Sequence, residues 1–226
     1  MTNLRIEAKL GSPFLAYDPV HLDSLLTFAH FVDIGEFEAP AKRSELKTFD
    51  DMPVAFTDGI PHCSAGFTVG REMSDVWHKK WCSEHESLID FGNSLGRVNT
   101  GRGEFKDYAM PVVAVSAGKV VFFANGDEAE IRRLLGHVVA IGKKRAIGFG
   151  MIREWVVERT SKDVSIYMPG GVSRNVPKRF DERPKRVQWM SYMYPYWDRT
   201  KFAECSIPKW RFDSIGEFEE YTGEVW

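Results

Sequence analysis

The decapeptide Ile141-Gly142-Lys143-Lys144-Arg145-Ala146-Ile147-Gly148-Phe149-Gly150 constrains this chain more than any other stretch. Three glycines bracket three consecutive cations, after an apolar run with helical spacing and before the strand-like run Met151 to Glu158. The context is a loop joining helix to strand. Glycine permits positive φ and lets a ligand approach peptide N–H groups, while Lys and Arg add charge suited to a phosphate. A polyanion is the expected partner. The Gly-Lys-Ser/Thr ending of a phosphate loop is absent, and a dinucleotide fingerprint runs strand then helix, the reverse of the order here. Mononucleotide and NAD binding are therefore set aside, and no cofactor is expected. The same residues also read as a tight turn whose charges are merely solvated.

The 226 residues suffice for one elaborate domain or two small ones, and 43% hydrophobic with 13% aromatic content supports a packed core. No run approaches the roughly 20 apolar residues of a membrane span, and Met1 to Arg5 opens no signal peptide, so a cytoplasmic protein without membrane attachment is expected. Cys63, Cys82 and Cys205 are few and scattered, which fits a reducing compartment. The net charge of −2 conceals a segregation: residues 142–211 hold 16 Lys and Arg against 7 Asp and Glu, and the last fifteen residues hold five acids and no base. Such concentration predicts a local anion-binding face inside an assembly; a solvated face is the alternative.

Residues 3–10 alternate polar and apolar side chains, so Leu4, Ile6, Ala8 and Leu10 share one face of a first strand. Asp18-Pro19 reads as a helix start, and Leu22, Leu25, Leu26 and Ala29 recur at helical spacing up to about Gly35. Strand-like pieces at 53–57 and 62–69 flank the turn Asp58-Gly59. Lys119 to Ala124 is apolar enough for a strand covered on both faces. Gly126-Asp127 starts a second helix with Ile131, Leu134, Leu135 and Val138 inward, and the basic glycine loop and a last strand follow. The order strand, helix, strands, helix, strand predicts an α+β fold of the ferredoxin-like split βαβ type, over 1–158, with an insert at about 36–103.

Within that insert, His78, Cys82 and His85 fall at i, i+4 and i+7, which on a helix would align three metal ligands; a fourth is missing, and no metal is expected. Trp77 and Trp81 with Lys79 and Lys80 suit either an arm that stacks on nucleic acid or core packing, and Arg102 sits in a flexible basic loop. Residues 159–226 read as a C-terminal extension packed on the same domain, loop-rich from Pro169-Gly170-Gly171 onward. Its Arg174, Lys178 and Arg179, with Pro177 and Pro184 nearby, would follow a phosphate backbone. The aromatics from Trp189 to Trp197 would stack on unpaired bases or anchor the extension; anchoring is preferred. His21 and His30 flank the first helix as the candidates for acid–base chemistry, and ordinary surface or helix-end histidines are the simpler reading.

The first strand, the Asp-Pro-x-x-Leu-Asp-x-Leu-Leu segment from Asp18 to Leu26, and the helix leading into Ile-Gly-Lys-Lys-Arg-x-x-Gly-x-Gly together resemble the RAMP superfamily of CRISPR-associated proteins. Within it, a single RRM-like domain with an inserted hairpin arm is most similar to the Cas-five-type subunit of type IV effector complexes, the third Csf protein family. The resemblance covers 1–34 and 104–158. It implies a chiefly binding role: capping the 5′ handle of the guide RNA (crRNA), contacting the backbone subunit and a large or small subunit, and using an inserted thumb. Gly142, Lys143, Lys144, Arg145, Gly148 and Gly150 match its glycine-loop motif. Some relatives cleave precursor RNA, which here would use His21 or His30 with Lys143 or Tyr17. The expected function is thus non-catalytic guide-RNA binding, with a metal-independent endoribonuclease and a protein-protein adaptor as alternatives.

Overall fold

The period-two pattern of residues 3–10 forms the expected strand: in the computed structural model β1 (Thr2–Leu10) buries Leu4, Ile6, Ala8 and Leu10. The structure describes residues 1–35, 51–90, 92 and 98–226, so part of the insert expected at 36–103 lies outside the described residues. The elements continue as α1 (Leu22–Asp33), β2 (Phe56–Thr57), β3 (Ile60–Pro61), β4 (Thr68–Lys79), β5 (Tyr108–Ala117), β6 (Lys119–Gly126), α2 (Glu128–Leu135) and β7 (Ile152–Arg159). The short β8 (Tyr167–Met168), β9 (Gly171–Val172) and β10 (Val176–Pro177) precede β11 (Val187–Ser191), β12 (Phe202–Ser206), β13 (Arg211–Phe212) and α3 (Ile215–Thr222). The architecture is mixed α+β. It divides into two compact units, Met1–Arg71 with Val115–Trp226, and Glu72–Ala114.

In the first unit β1 lies between antiparallel β6 and β7, with Ile6 opposite both Phe122 and Val157. Residues 63–67 extend the sheet beyond β6 through the bridges Cys63 to Ala124 and Phe67 to Val121. One face of β6, with Phe122 and Ala124, joins Leu22, Leu26, Ile131 and Leu135 of the two helices in the main core. The opposite face, with Val121 and Phe123, packs with Phe67, Phe212 and Phe218 near the C-terminus. Its continuous apolar run therefore meets two cores, and each large buried side chain contributes about 1.5–3 kcal/mol. Asp33 joins the helices, 2.9 Å from Arg133 and 3.1 Å from His137.

Local signals explain the boundaries. Asp127 caps α2 by accepting from the N–H groups of Ala129 and Glu130. Asp58 (φ 51°) and Gly59 (φ 77°) form the predicted turn between β2 and β3. The first helix starts at Leu22, not at Asp18-Pro19. Gly66 N–H donates to Val20 O at 2.7 Å and Leu22 N–H to Ser64 O at 3.1 Å, and this pairing holds residues 20–22 extended.

The second unit starts and ends later than the insert expected at 36–103. In it β4 neighbours β5, Trp77 meets Tyr108 edge-on at 5.3 Å, and Trp81 meets Phe105 at 4.8 Å. His78 lies on β4 and His85 in the 3₁₀ turn Ser83–Leu88, so the helical face that would align them with Cys82 does not form. Among the described residues no group of three or more His, Cys, Asp or Glu is arranged to hold a metal ion.

Gly66 sits where residues 63–67 press on β6: a Cβ there would meet Val120 Cγ1 at 2.6 Å and Phe122 Cε1 at 2.7 Å. Gly66→Ala is expected to destabilise the protein by about 1–3 kcal/mol through overpacking, read as a lower urea midpoint at unchanged m-value.

Candidate functional site

The glycine loop is held in one shape by the turn that follows β1. Lys143 N–H donates to Leu15 O and Gly150 N–H to Pro13 O, both at 2.8 Å, and Ser12 Oγ donates to Gly148 O at 2.7 Å. Gly142 (φ 80°) and Gly150 (φ 67°) have no room for a side chain, since a Cβ would lie 2.5 Å from Leu15 O and 1.9 Å from Ile141 O, respectively. Gly148 (φ 94°) closes the 3₁₀ turn Arg145–Ile147. The turn geometry and the close backbone approach thus explain the glycines.

The loop forms one wall of a cleft of about 770 Å³, within the usual range for small-molecule or base-sized sites. His21 at the N-cap of α1 and Phe28 from its middle form a second wall, and Trp189, Tyr194, Tyr196 and Trp197 form the third. Lys143 Nζ stands 4.5 Å from the Tyr17 ring centroid and the Arg145 guanidinium 5.0 Å from that of Phe28. Such cation–π pairing orients the charges without neutralising them. Trp189 is 65% exposed and Trp197 40%, so each keeps ring surface open to a ligand. The cleft combines cations, flat aromatic surface and buried polar atoms, which suits a phosphate-linked base.

A buried polar cluster holds the α1 wall to the aromatic wall. Arg174, 0% exposed, donates to Asp23 Oδ2 (3.2 Å), Pro61 O (2.9 Å), Cys63 O (2.7 Å) and Tyr192 O (2.7 Å). Asp23 also accepts from Tyr196 OH at 2.8 Å and Tyr194 N–H at 3.2 Å. Burial alone would raise the Asp23 pKa, but the Arg174 charge and the Tyr196 hydrogen bond hold it below the ordinary value. Burial pushes the Cys63 thiol up to about 12. Arg174 was expected to face a phosphate backbone; with no exposed atom surface and Asp23 as its counter-ion, it serves the fold instead.

The other expected residues divide clearly. Gly142, Lys143 and Arg145 line the cleft with His21, and Lys144, Gly148 and Gly150 belong to the same loop. His30 lies in the last turn of α1 against Phe31 and does not line the cleft. Lys178 pairs with Glu204 at 3.5 Å, and Arg179 lies 4.7 Å from the Phe180 ring; neither lines the cleft. Lys79, Lys80 and Arg102 belong to the second unit, where Lys79 donates to Glu104 O. Sequence reasoning missed Asp23 and Asn175. The signal for Asp23 was an acid flanked by Leu22, Leu25 and Leu26, which calls for a buried counter-charge.

His21 stacks on Tyr196 at 4.7 Å and 17°, its buried Nδ1 has no hydrogen-bond partner among the described residues, and burial lowers its pKa to about 3, with Asp23 acting against and Arg174 with that shift. Between the ordinary histidine value of 6.5 and about 3, the unfolded chain therefore binds a proton that the folded one refuses. Stability contributed by His21 is fully present above pH 6.5 and falls as pH drops, by at most about 1.4 kcal/mol per pH unit. His21→Phe keeps the stack and removes the proton, so its melting temperature should fall less between pH 7 and pH 5 than that of the wild type. Arg174→Met alone leaves Asp23 buried and unpaired and is expected to cost about 3–5 kcal/mol; adding Asp23→Leu should restore part of it, as chemical denaturation would measure.

The family model described as CRISPR type IV associated protein Csf3 matches residues 71–208, which include the second unit, β6, α2, the glycine loop and β12. A search of curated proteins finds no match. No helix among the described residues is long and apolar enough to cross a membrane. With well over half its length matched, the chain belongs to the Csf3 family of CRISPR type IV associated proteins.

Proposed function

We propose that this protein is a non-catalytic subunit of a CRISPR type IV effector complex that binds and caps the 5′ handle of the guide RNA and contacts the backbone subunit. Family membership supports a place in the effector complex. The sheet order, residues 63–67, β6, β1, β7, with α1 and α2 in one core, supports a ferredoxin-like RAMP domain over 1–158. Residues 159–226 are then its extension, and the unit Glu72–Ala114, with Lys79, Lys80 and Arg102, its arm over the RNA.

The observation that carries the reading is the cleft, in which Lys143 and Arg145 stand beside the exposed Trp189 and Trp197. Cations grip the phosphates and position the strand, while unstacked bases find aromatic faces, each worth about 1–3 kcal/mol. His21 lines the same cleft as Lys143, which is the feature that favours an endoribonuclease. A ring with a pKa of about 3 stays neutral, with a single N–H, at neutral pH and is a weak base, so it suits a wall better than acid–base catalysis.

Fluorescence anisotropy with a labelled repeat-derived RNA tests this. Lys143→Ala/Lys144→Ala/Arg145→Ala is expected to weaken binding at least tenfold and flatten the dependence of log K on log salt by about 0.7 for each phosphate no longer neutralised. The RNA should remain intact on a denaturing gel. Specific cleavage that disappears in His21→Ala would overturn the non-catalytic reading, and unchanged affinity in the triple variant would favour an adaptor.

A further inference from the structure

A smaller cavity of about 240 Å³ shares no lining residue with the cleft. It is walled by the Gly170-Gly171 turn, the segment 181–186 that leads into β11, and Lys209 with Tyr221. Its charge is one-sided: Arg183, Lys185, Arg186 and Lys209 face a single lining carboxylate, Asp181. Lys209 is neutralised by Glu217, and Lys185 Nζ spends one donor on Gly170 O at 2.7 Å. Among the described residues neither Arg183 nor Arg186 has an ion-pair partner. Two guanidinium groups and an ammonium with donors to spare therefore border the same small space.

Ser206 lines the cavity and is 1% exposed; its Oγ is enclosed by protein and has no hydrogen-bond partner among the described residues, so it belongs to the wall. The geometry around it is fixed. Ser206 pairs with Val176 and Val187 in the β10-β12-β11 sheet, and Ile207 N–H donates to Arg186 O at 3.0 Å, which holds Arg186 beside it. Tyr221 OH accepts from Lys209 N–H and donates to Val172 O, so it serves as wall and not as a free donor.

The cavity is smaller than the about 300–1,000 Å³ of drug-sized sites, so a compact group fits and a whole nucleotide does not. A tetrahedral anion rich in acceptors matches donors of this kind, and guanidinium groups bind it through paired N–H bonds. We propose that this cavity holds one phosphate of a bound RNA, gripped by Arg183 and Arg186, with Lys185 adding charge. The proposal rests on the RNA-binding reading above. Arg186 immediately precedes β11 and Trp189 lies three residues further on, so the backbone positions that carry the cavity and the aromatic wall are about 10 Å apart at about 3.3 Å per residue.

The test is anisotropy of the full chain with two labelled RNAs of one sequence, one with a 5′-phosphate and one with a 5′-hydroxyl, across a series of salt concentrations. Arg183→Ala/Arg186→Ala is expected to weaken binding at least fivefold and flatten the salt slope by about 0.7. Asp181→Asn, which retains the Oδ1 that accepts from Arg183 N–H, should tighten binding two- to fivefold. Lys9→Ala/Arg159→Ala, which removes ion-paired cations elsewhere, should change neither quantity. A loss confined to the 5′-phosphorylated RNA identifies a terminal phosphate, and an equal loss with both identifies an internal linkage; either supports the site. If Arg183→Ala/Arg186→Ala stays within twofold at unchanged slope while the loop triple variant loses affinity, the cavity is no phosphate site and the glycine-loop reading stands. Absence of wild-type binding to either RNA would overturn both.

Discussion

The pairing of Asp23 with Arg174 is the constraint on which the rest of the molecule depends. Asp23 of helix α1 is a point at which the helix is tied to residues 174–196 of the C-terminal third by hydrogen bonds and charge. Around it converge the Arg174 guanidinium, the Tyr196 hydroxyl and the Tyr194 amide, while Arg174 also closes the carbonyls of Pro61 and Cys63. A buried charge pair adds little net stability compared with an apolar replacement, but either half alone is severely destabilising. Its effect is to allow only one docking of the extension. The aromatic wall of the cleft follows from that docking.

The opposite wall is set by backbone geometry instead of charge. Positive φ at Gly142, Lys144, Gly148 and Gly150, with clamps to Pro13, Leu15 and Ser12, gives the loop its shape before any ligand arrives. A strand of RNA binding here would lose its own freedom but would order little of the protein. Cations laid over Tyr17 and Phe28 act similarly, because their rotamers are restrained while their charge stays available.

The legible parts of the fold were those written in local pattern. The alternation in β1, the Asp127 cap and the Asp58-Gly59 turn each depend on a few neighbouring residues, and they form as their chemistry requires. The exceptions each involve a distant partner. Residues 18–21 look like a helix start until Ser64 and Gly66 hold them extended. Trp77 to His85 has helical spacing but is taken up by a strand and a 3₁₀ turn. Arg174 looks like its basic neighbours Lys178 and Arg179, and only the fold brings it to an aspartate far upstream. Spacing along the chain cannot distinguish a cation destined for burial from one destined for solvent.

That separation has a consequence in time. Asp23 and Arg174 are 151 residues apart, and at a synthesis rate of about 5–20 residues per second the aspartate emerges from the ribosome roughly 8–30 seconds before its partner. During that interval α1 cannot seat its inner face without burying an uncompensated carboxylate. Seating the helix against the aromatic wall is thus favoured only once Arg174 has emerged to meet the carboxylate.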